Sequence, residues 1–386
     1  MGDVSGAVAL VLGGCGFIGR NIVAYLHEEC GDKVSLIVVV DKSMPALSNF
    51  GPKYDNVFKS DRVKYMQGDV SRSKTVDKIF AAHKYEFVFN AAAETRLSLP
   101  EVQYEAKVLN LAKLNAEAAA KNGVKRFIHL STCRVYGGSK SKKPHKETTK
   151  AAYKPWTTQA VYSLKAENAV MEAASGTELD VCILRPANVY GPGDVTTNGI
   201  MGRAVVAAVY FQLNEKMKVL WSKELKVNTV HVDDVCRAMW HLASSSKNVN
   251  GFVFNLVDST STNQGILNSY LARMFGIKAS CIGQFASNIA RVAIKTVTNA
   301  ANDRHMAPWS ALCAHHSVKH SPLSPFVDPE LLRCNHLYAD GSAIEVQMEF
   351  TYSHPDFTEE LFRGMVESAI EAGVFPPVLQ QPNEKK

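Results

Sequence analysis

The stretch that most constrains this chain is "VALVLGGCGFIGRNIV", residues 8–23. An apolar run of strand formers leads straight into Gly13, Gly16 and Gly19, and a helical pattern follows at once. In that setting the first glycine permits a tight turn. The second lets backbone approach a pyrophosphate, and the third lets the helix close on the sheet. The amides of the first helical turn, from Phe17, Ile18 and Gly19, add donors at the positive end of the helix dipole. A second apolar run, "SLIVVVD", ends in Asp41, about 20 residues past the last glycine. A carboxylate there accepts hydrogen bonds from ribose hydroxyls and repels a 2′-phosphate, which favours NAD. Lys42 follows at once and keeps NADP open. The plainer reading of Asp41 is a strand-end acid capping a turn. "MQGDV" places Asp69 and Val70 at a third strand end, where an adenine can rest. "NAAA" offers Ala91 and Ala92 as small residues past which a cofactor backbone can run.

Strand-like runs alternate with helical patterns through the first half. The runs are "VALVL", "SLIVVVD", "VKYMQ", "FVFNA", "RFIHLS" and "DVCILRP". Near-continuous apolar strands flanked by helices predict an α/β fold: a Rossmann-type, doubly wound parallel sheet with a smaller C-terminal substrate lobe. A long helix is expected from about Glu101 to a cap at Gly123. The expected division is a nucleotide-binding domain over 1–256, with lobe insertions after about 186, and a capping region over 257–386. From 277 to 340 the chain is rich in His, Ser and Pro and gives no clear pattern. A last helix is expected in "FTEELFRGMVESAIEAG".

Composition narrows the function classes. The net charge of +6 has no concentrated source beyond "GGSKSKKPHKETTK" and the "NEKK" tail, and no aromatic residues interleave with it, so nucleic-acid binding is not expected. The eight cysteines show no CxxC spacing and several lie in apolar runs, which points to free thiols and the cytoplasm. No apolar run approaches the roughly 18 residues of a membrane span. "CAHHSVKH" lacks a second ligand cluster, so no metal is expected.

These motifs resemble the extended short-chain dehydrogenase/reductases, which include NAD-dependent sugar epimerases and dehydratases and 3β-hydroxysteroid dehydrogenases. The resemblance covers about Ala7 to Leu256 and rests on "GGCGFIG", "GDV", "NAAA", "LSTCRVYGG", "LRPANVYGPGD" and "NTVHVDDVCRAMW". Leu12 stands where that group usually has Thr. The resemblance implies an NAD(P)-dependent oxidoreductase or epimerase/dehydratase acting on a secondary alcohol of a small hydroxylated substrate, sugar-like or sterol-like. A homodimer is compatible with it. The rival class is a silent NAD(P)-binding protein, a redox sensor or a complex subunit.

Hydride exchange with an alcohol needs a proton acceptor, and a tyrosine serves if positive charge lowers its pKa. In the resembled group a strand-end Ser or Thr holds the reacting oxygen, and a Tyr-x-x-x-Lys pair on the next helix supplies the base and its tuning charge. Thr132 matches the first, with Ser131 as runner-up. Lys165 matches the lysine and would also bind the nicotinamide ribose, near Pro186. Tyr162, however, precedes Lys165 by three residues, and Val161 holds the position four before. Tyr162 could still serve from a 3₁₀ turn at the helix start, or after a deletion absorbed in "AAYKPWTTQA"; otherwise Val161 fills the slot. Tyr136 and Tyr190 read as structural, His231 as a packed histidine, and Asp234 as a helix N-cap. Arg96 and Asn188 point toward substrate. An arginine often precedes "HVDDV" in sugar-nucleotide enzymes, but only Lys226 is near it here, which leaves sterols open.

Overall fold

The computed structural model describes residues 6–138 and 143–381. Part of the basic stretch, 139–142, and the "NEKK" tail lie outside the described residues. In chain order the strands are β1 (Ala7–Leu12), β2 (Val34–Asp41), β3 (Val63–Gln67), β4 (Phe87–Asn90), β5 (Arg126–Leu130) and β6 (Asp180–Pro186). They continue with β7 (Asn188–Tyr190), β8 (Met217–Val219), β9 (Thr229–His231), β10 (Phe252–Leu256) and β11 (Ala279–Cys281). Seven of them form one parallel sheet in the order β10-β6-β5-β4-β1-β2-β3. Chain order runs outward in opposite directions from β1 and β4. Their C-terminal ends therefore flank a topological switch point, where such sheets bind ligands.

The helices are α1 (Phe17–Glu29), α2 (Pro52–Phe58), α3 (Ser73–Ala82), α4 (Glu101–Tyr104), α5 (Leu111–Lys121), α6 (Thr158–Ala174), α7 (Ile200–Leu213) and α8 (Val232–Ser244). Beyond these come α9 (Gln264–Phe275), α10 (Gln284–Val292), α11 (Ile294–His315), α12 (Ser342–Met348) and α13 (Glu359–Glu371). The strands alternate their side chains between two packed faces. β1 sends Ala9 and Val11 toward α1 and α8, and Leu10 and Leu12 toward α3, α5 and α6. Burial on both faces, at roughly 1.5–3 kcal/mol per large apolar side chain, is what makes these strands read as unbroken Val/Ile/Leu runs.

The expected long helix is present, with a π-helical segment, Glu105–Asn110, joining α4 to α5. A third apolar cluster, with Met201, Val205, Leu271, Trp309 and Phe362, holds α7, α9, α11 and α13 together as a second lobe. The region after 256 is not confined to that lobe. Ile344, Met348, Phe350 and Tyr352, on and after α12, return to the α1/α8 face of the sheet. The segment without clear pattern contains α10 and the long α11, which carries Pro308 in its interior.

Candidate functional site

The glycine turn stands at the switch point. Gly13 has φ +76°, and a Cβ on it would lie 2.8 Å from Ala92 Cα, so the turn leans directly on the chain leaving β4. A Cβ on Gly19 would lie 2.0 Å from the Gly13 carbonyl, which fixes α1 against the turn. Gly16 differs: its backbone is extended, it is exposed, and a Cβ there meets only the Gly13 carbonyl, at 3.3 Å. The folded chain does not itself require glycine at this position. What glycine leaves open is a cradle before the α1 N-terminus, which has neither a side-chain cap nor an acid in its first turn. The dipole and the free amides of Phe17, Ile18 and Gly19 suit that cradle to an anion.

Asp41 is fastened to the same turn. Its Oδ2 accepts from the Cys15 amide at 3.0 Å and its Oδ1 from the Ser43 amide at 2.9 Å. It therefore caps a turn and also faces the glycine loop, with lone pairs left for ribose hydroxyls. Lys42 beside it is exposed. Asp69 accepts from the Ser71 hydroxyl and pairs with Arg72, and these bonds hold its carboxyl below the usual range despite some burial. The carbonyl of Val70 accepts from buried Asn115 at 2.8 Å. Ala91 and Ala92 lie above Asn90, whose Oδ1 accepts from the Ala92 amide at 3.2 Å and whose amide meets His129 Nδ1 at 3.1 Å. Burial pushes His129 down to about 4, so this support stays neutral at pH 7.

Around Thr132 the arrangement departs from expectation. α6 is a regular helix from Thr158, capped by Thr157 Oγ1, which accepts from the Ala160 amide at 3.1 Å. No 3₁₀ turn carries Tyr162. One residue on a helix turns a side chain by about 100°, and that rotation sends the Tyr162 ring toward α4. The ring stacks on Tyr104 with centroids 6.1 Å apart, and its hydroxyl donates to Glu101 Oε2 at 3.0 Å. Exposed Lys165 holds its Nζ 4.2 Å from the ring centroid, over the π face and not at the hydroxyl. Burial and the Glu101 carboxylate push the Tyr162 pKa up, the reverse of what an acid–base tyrosine needs. The expected trio does not meet in this arrangement: no hydrogen bond joins Thr132, Tyr162 and Lys165, and half-buried Val161 occupies the slot four before the lysine. Thr132 Oγ1 accepts from the Arg134 amide at 3.2 Å, and Pro186 closes β6 opposite Leu256.

Arg134 leads from Thr132 into a cavity of about 250 Å³ between the sheet and the second lobe. Its guanidinium donates to Asn188 Oδ1 and the Asn198 carbonyl, each at 3.2 Å, and lies 5.8 Å over the Trp156 ring. Arg203, in the first turn of α7, lines the same cavity and makes no hydrogen bond or ion pair with a described residue. Burial pulls both guanidiniums' pKa values down; the Glu330 carboxylate offsets part of this for Arg134, and neither guanidinium forms an ion pair among the described residues. None of the lining residues among those described is acidic. His305 is 4% exposed and lines the cavity.

The NAD dependent epimerase/dehydratase family profile matches residues 9–256. This chain belongs to that family. dTDP-D-glucose 4,6-dehydratase of Mus musculus is 32% identical to it over 188 residues, 47% of this chain and 50% of the mouse protein. The chain therefore spans about half the length of the dehydratases it matches. A decarboxylating sterol-4-alpha-carboxylate 3-dehydrogenase of Candida albicans is 22% identical over 306 residues, 74% of this chain and 83% of that protein. Among solved structures, UDP-glucuronic acid 4-epimerase from Bacillus cereus in complex with UDP-glucuronic acid and NAD superposes with a TM-score of 0.69. That match is 16% identical and covers 94% of this chain and 99% of the other, a likeness of fold.

Within this epimerase/dehydratase-family chain, several polar residues serve roles that sequence patterns did not reveal. Ser131 donates to Glu167, which binds Arg185 with contacts of 2.9 and 2.5 Å, so its hydroxyl is committed. Arg185 also donates to Tyr136 at 2.8 Å and Tyr153 at 3.0 Å, and the Glu167–Arg185 pair is almost wholly buried. The helical spacing of Glu167 and the strand alternation of Arg185 were visible, but nothing in sequence paired them. Arg96 is held by Glu94 at 2.7 Å. The N-cap of α8 is His231, whose Nδ1 accepts from the Asp233 amide; Asp234 instead accepts from the Ser353 and His354 amides, at 2.6 and 2.8 Å. Cys313 of "CAHHSVKH" packs in the second lobe's core.

Proposed function

We propose that this protein carries out NAD-dependent oxidoreductase chemistry, of epimerase/dehydratase type, on a secondary alcohol of an anionic substrate. One observation carries the reading: two guanidiniums with no ion pair among the described residues line a cavity that begins beside Thr132. An anionic ligand would neutralise charges that otherwise stand half-buried, and a nucleoside diphosphate sugar supplies such an anion together with secondary alcohols. Arg134 and Arg203 offer the charge that the missing arginine before "HVDDV" seemed to remove.

Gly13, Gly16, Phe17, Ile18 and Gly19 would hold the dinucleotide phosphates, and Asp41 the adenosine ribose. Asp69 and Val70 would border the adenine, Ala91 and Ala92 would let the cofactor backbone pass, and Lys165 and Pro186 would lie at the nicotinamide end. The bound cofactor supplies reversible hydride transfer at its nicotinamide ring. Thr132 would hold the substrate oxygen, and Arg134 would draw the substrate anion to that end. The eight free cysteines, six of them buried, suit a reducing compartment, in line with a cytoplasmic protein.

A sterol acid is a second anionic substrate class. It is favoured by the sterol-4-alpha-carboxylate dehydrogenase that matches three quarters of the chain and by the many apolar residues lining the cavity. The silent NAD-binding alternative is favoured by the Tyr162–Glu101 bond.

The test is product formation from a panel of UDP- and dTDP-sugars, followed by chromatography because epimerisation and dehydration regenerate NAD, and NADH absorbance with 4-carboxysterols, whose oxidation leaves NADH. Expected is turnover with one class, abolished by Thr132→Ala, and binding weakened about tenfold or more by Arg134→Gln, in keeping with a lost charge-assisted hydrogen bond. NAD binding without turnover on any substrate would favour the silent reading.

A further inference from the structure

The second lobe carries an apolar face that points away from the protein. On α10, Phe285, Ile289 and Val292 fall at i, i+4 and i+7 and are 82%, 63% and 88% exposed, with Ile282 just before them. The opposite side of α10 is anchored: Ser287 is fully buried, donates to the Gly283 carbonyl at 2.7 Å and accepts from the Trp221 amide at 2.6 Å. The helix therefore cannot roll to bury its apolar stripe without losing that anchor. Isolated exposed apolar residues are ordinary, but a full stripe on one short helix is not.

Charge indicates what covers it. Between Asp258 and Asp303 the chain holds no acidic residue, while Arg273, Lys278, Arg291 and Lys295 are cationic. Arg291 lies within α10 and Lys295 just beyond it, both exposed and neither in an ion pair among the described residues. An apolar face flanked by basic residues and free of acids is the pattern of a helix lying in a headgroup layer. We propose that α10 docks this protein on an anionic lipid surface, with Phe285, Ile289 and Val292 in the acyl boundary and Arg291 and Lys295 on the headgroups.

The placement has a consequence for the cavity. Trp221, tied to Ser287 of α10, lines it, as do Val297, Ala301 and His305 of α11 and exposed Phe326. A docked α10 brings the cavity's outer wall to the lipid surface.

The test is flotation of the full-length protein with phosphatidylcholine vesicles, with and without phosphatidylserine. Expected is recovery with phosphatidylserine vesicles, lowered about tenfold or more by the triple substitution Phe285→Asp, Ile289→Asp, Val292→Asp, since three apolar side chains lose their burial. Arg291→Glu with Lys295→Glu should remove the preference for phosphatidylserine. These side chains are exposed, so an unchanged thermal unfolding midpoint confirms that the variants fold. Failure of the wild type to float, or flotation of the triple variant at wild-type level, overturns the proposal. So does a lipid-free dimer, seen by analytical ultracentrifugation, that the triple variant turns into monomer, because a second copy would then be the cover. None of these outcomes depends on which substrate the cavity takes.

Discussion

The glycine turn after β1 and the first turns of α6 serve the same end of one sheet, yet they are held in different ways. The turn is held by backbone: Gly13 takes a left-handed φ against Ala92, and Gly19 lets α1 meet the Gly13 carbonyl. The start of α6 is held by side chains whose direction depends on helix phase. There a one-residue offset moves Tyr162 to Glu101 and leaves Val161 four positions before Lys165. A backbone device tolerates no slip without losing the fold, whereas a side-chain device can slip and leave the fold intact.

The largest expected effects separate two kinds of glycine within the turn. Gly19→Val would drive a side chain into the Gly13 carbonyl and should cost about 3 kcal/mol in urea unfolding. Gly16→Val meets little protein, so unfolding should stay within about 0.5 kcal/mol of wild type. Its side chain would fill the cradle, and NAD affinity by calorimetry should fall by about 100-fold or more. Wild-type NAD affinity in Gly16→Val would break the assignment of that cradle to the dinucleotide. Of similar size is the effect at the buried pair behind Thr132. Glu167→Gln strips the charge partner from Arg185 and should cost about 3–5 kcal/mol, while Lys165→Ala, two residues away and exposed, should stay near 0.5 kcal/mol or below. Equal destabilisation by the two would mean that Glu167 is not the side chain that holds Arg185.

The same division explains what could be read from sequence. The parallel sheet, its flanking helices and the glycine cradle follow from local rules: apolar runs buried on both faces, glycines where a Cβ cannot fit, and an acid ending β2. What escaped depends on contacts distant in the chain. Arg134 and Arg203 come to line one cavity only when the start of α7 folds over the end of β5. Asp234 caps nothing in its own helix because the amides of Ser353 and His354 reach it first. α12 could not be assigned to the sheet, since a seven-residue helix carries too little periodicity to show which face it joins. α10 lies in the stretch from 277 to 340 that gives no clear pattern, and its apolar stripe is plain only once the helix is formed.

The smallest expected effect bears most directly on α6. Tyr162→Phe removes one hydroxyl bond to Glu101 and keeps the stack on Tyr104, so the stability loss should be about 1 kcal/mol. If the resting arrangement is also the working one, product formation by Tyr162→Phe should stay within about twofold of wild type, the small change expected when no transition-state contact is lost. Val161→Tyr is the converse probe, because it restores a hydroxyl four residues before Lys165 and within the lysine's reach. A rise in turnover for Val161→Tyr, with Tyr162→Phe unaffected, would assign the family's acid–base position to Val161 in this chain. Loss of turnover in Tyr162→Phe at unchanged stability would instead require its hydroxyl to leave Glu101 during the reaction. The side-chain device would then have a second state, which the glycine turn, locked by its own backbone, does not have.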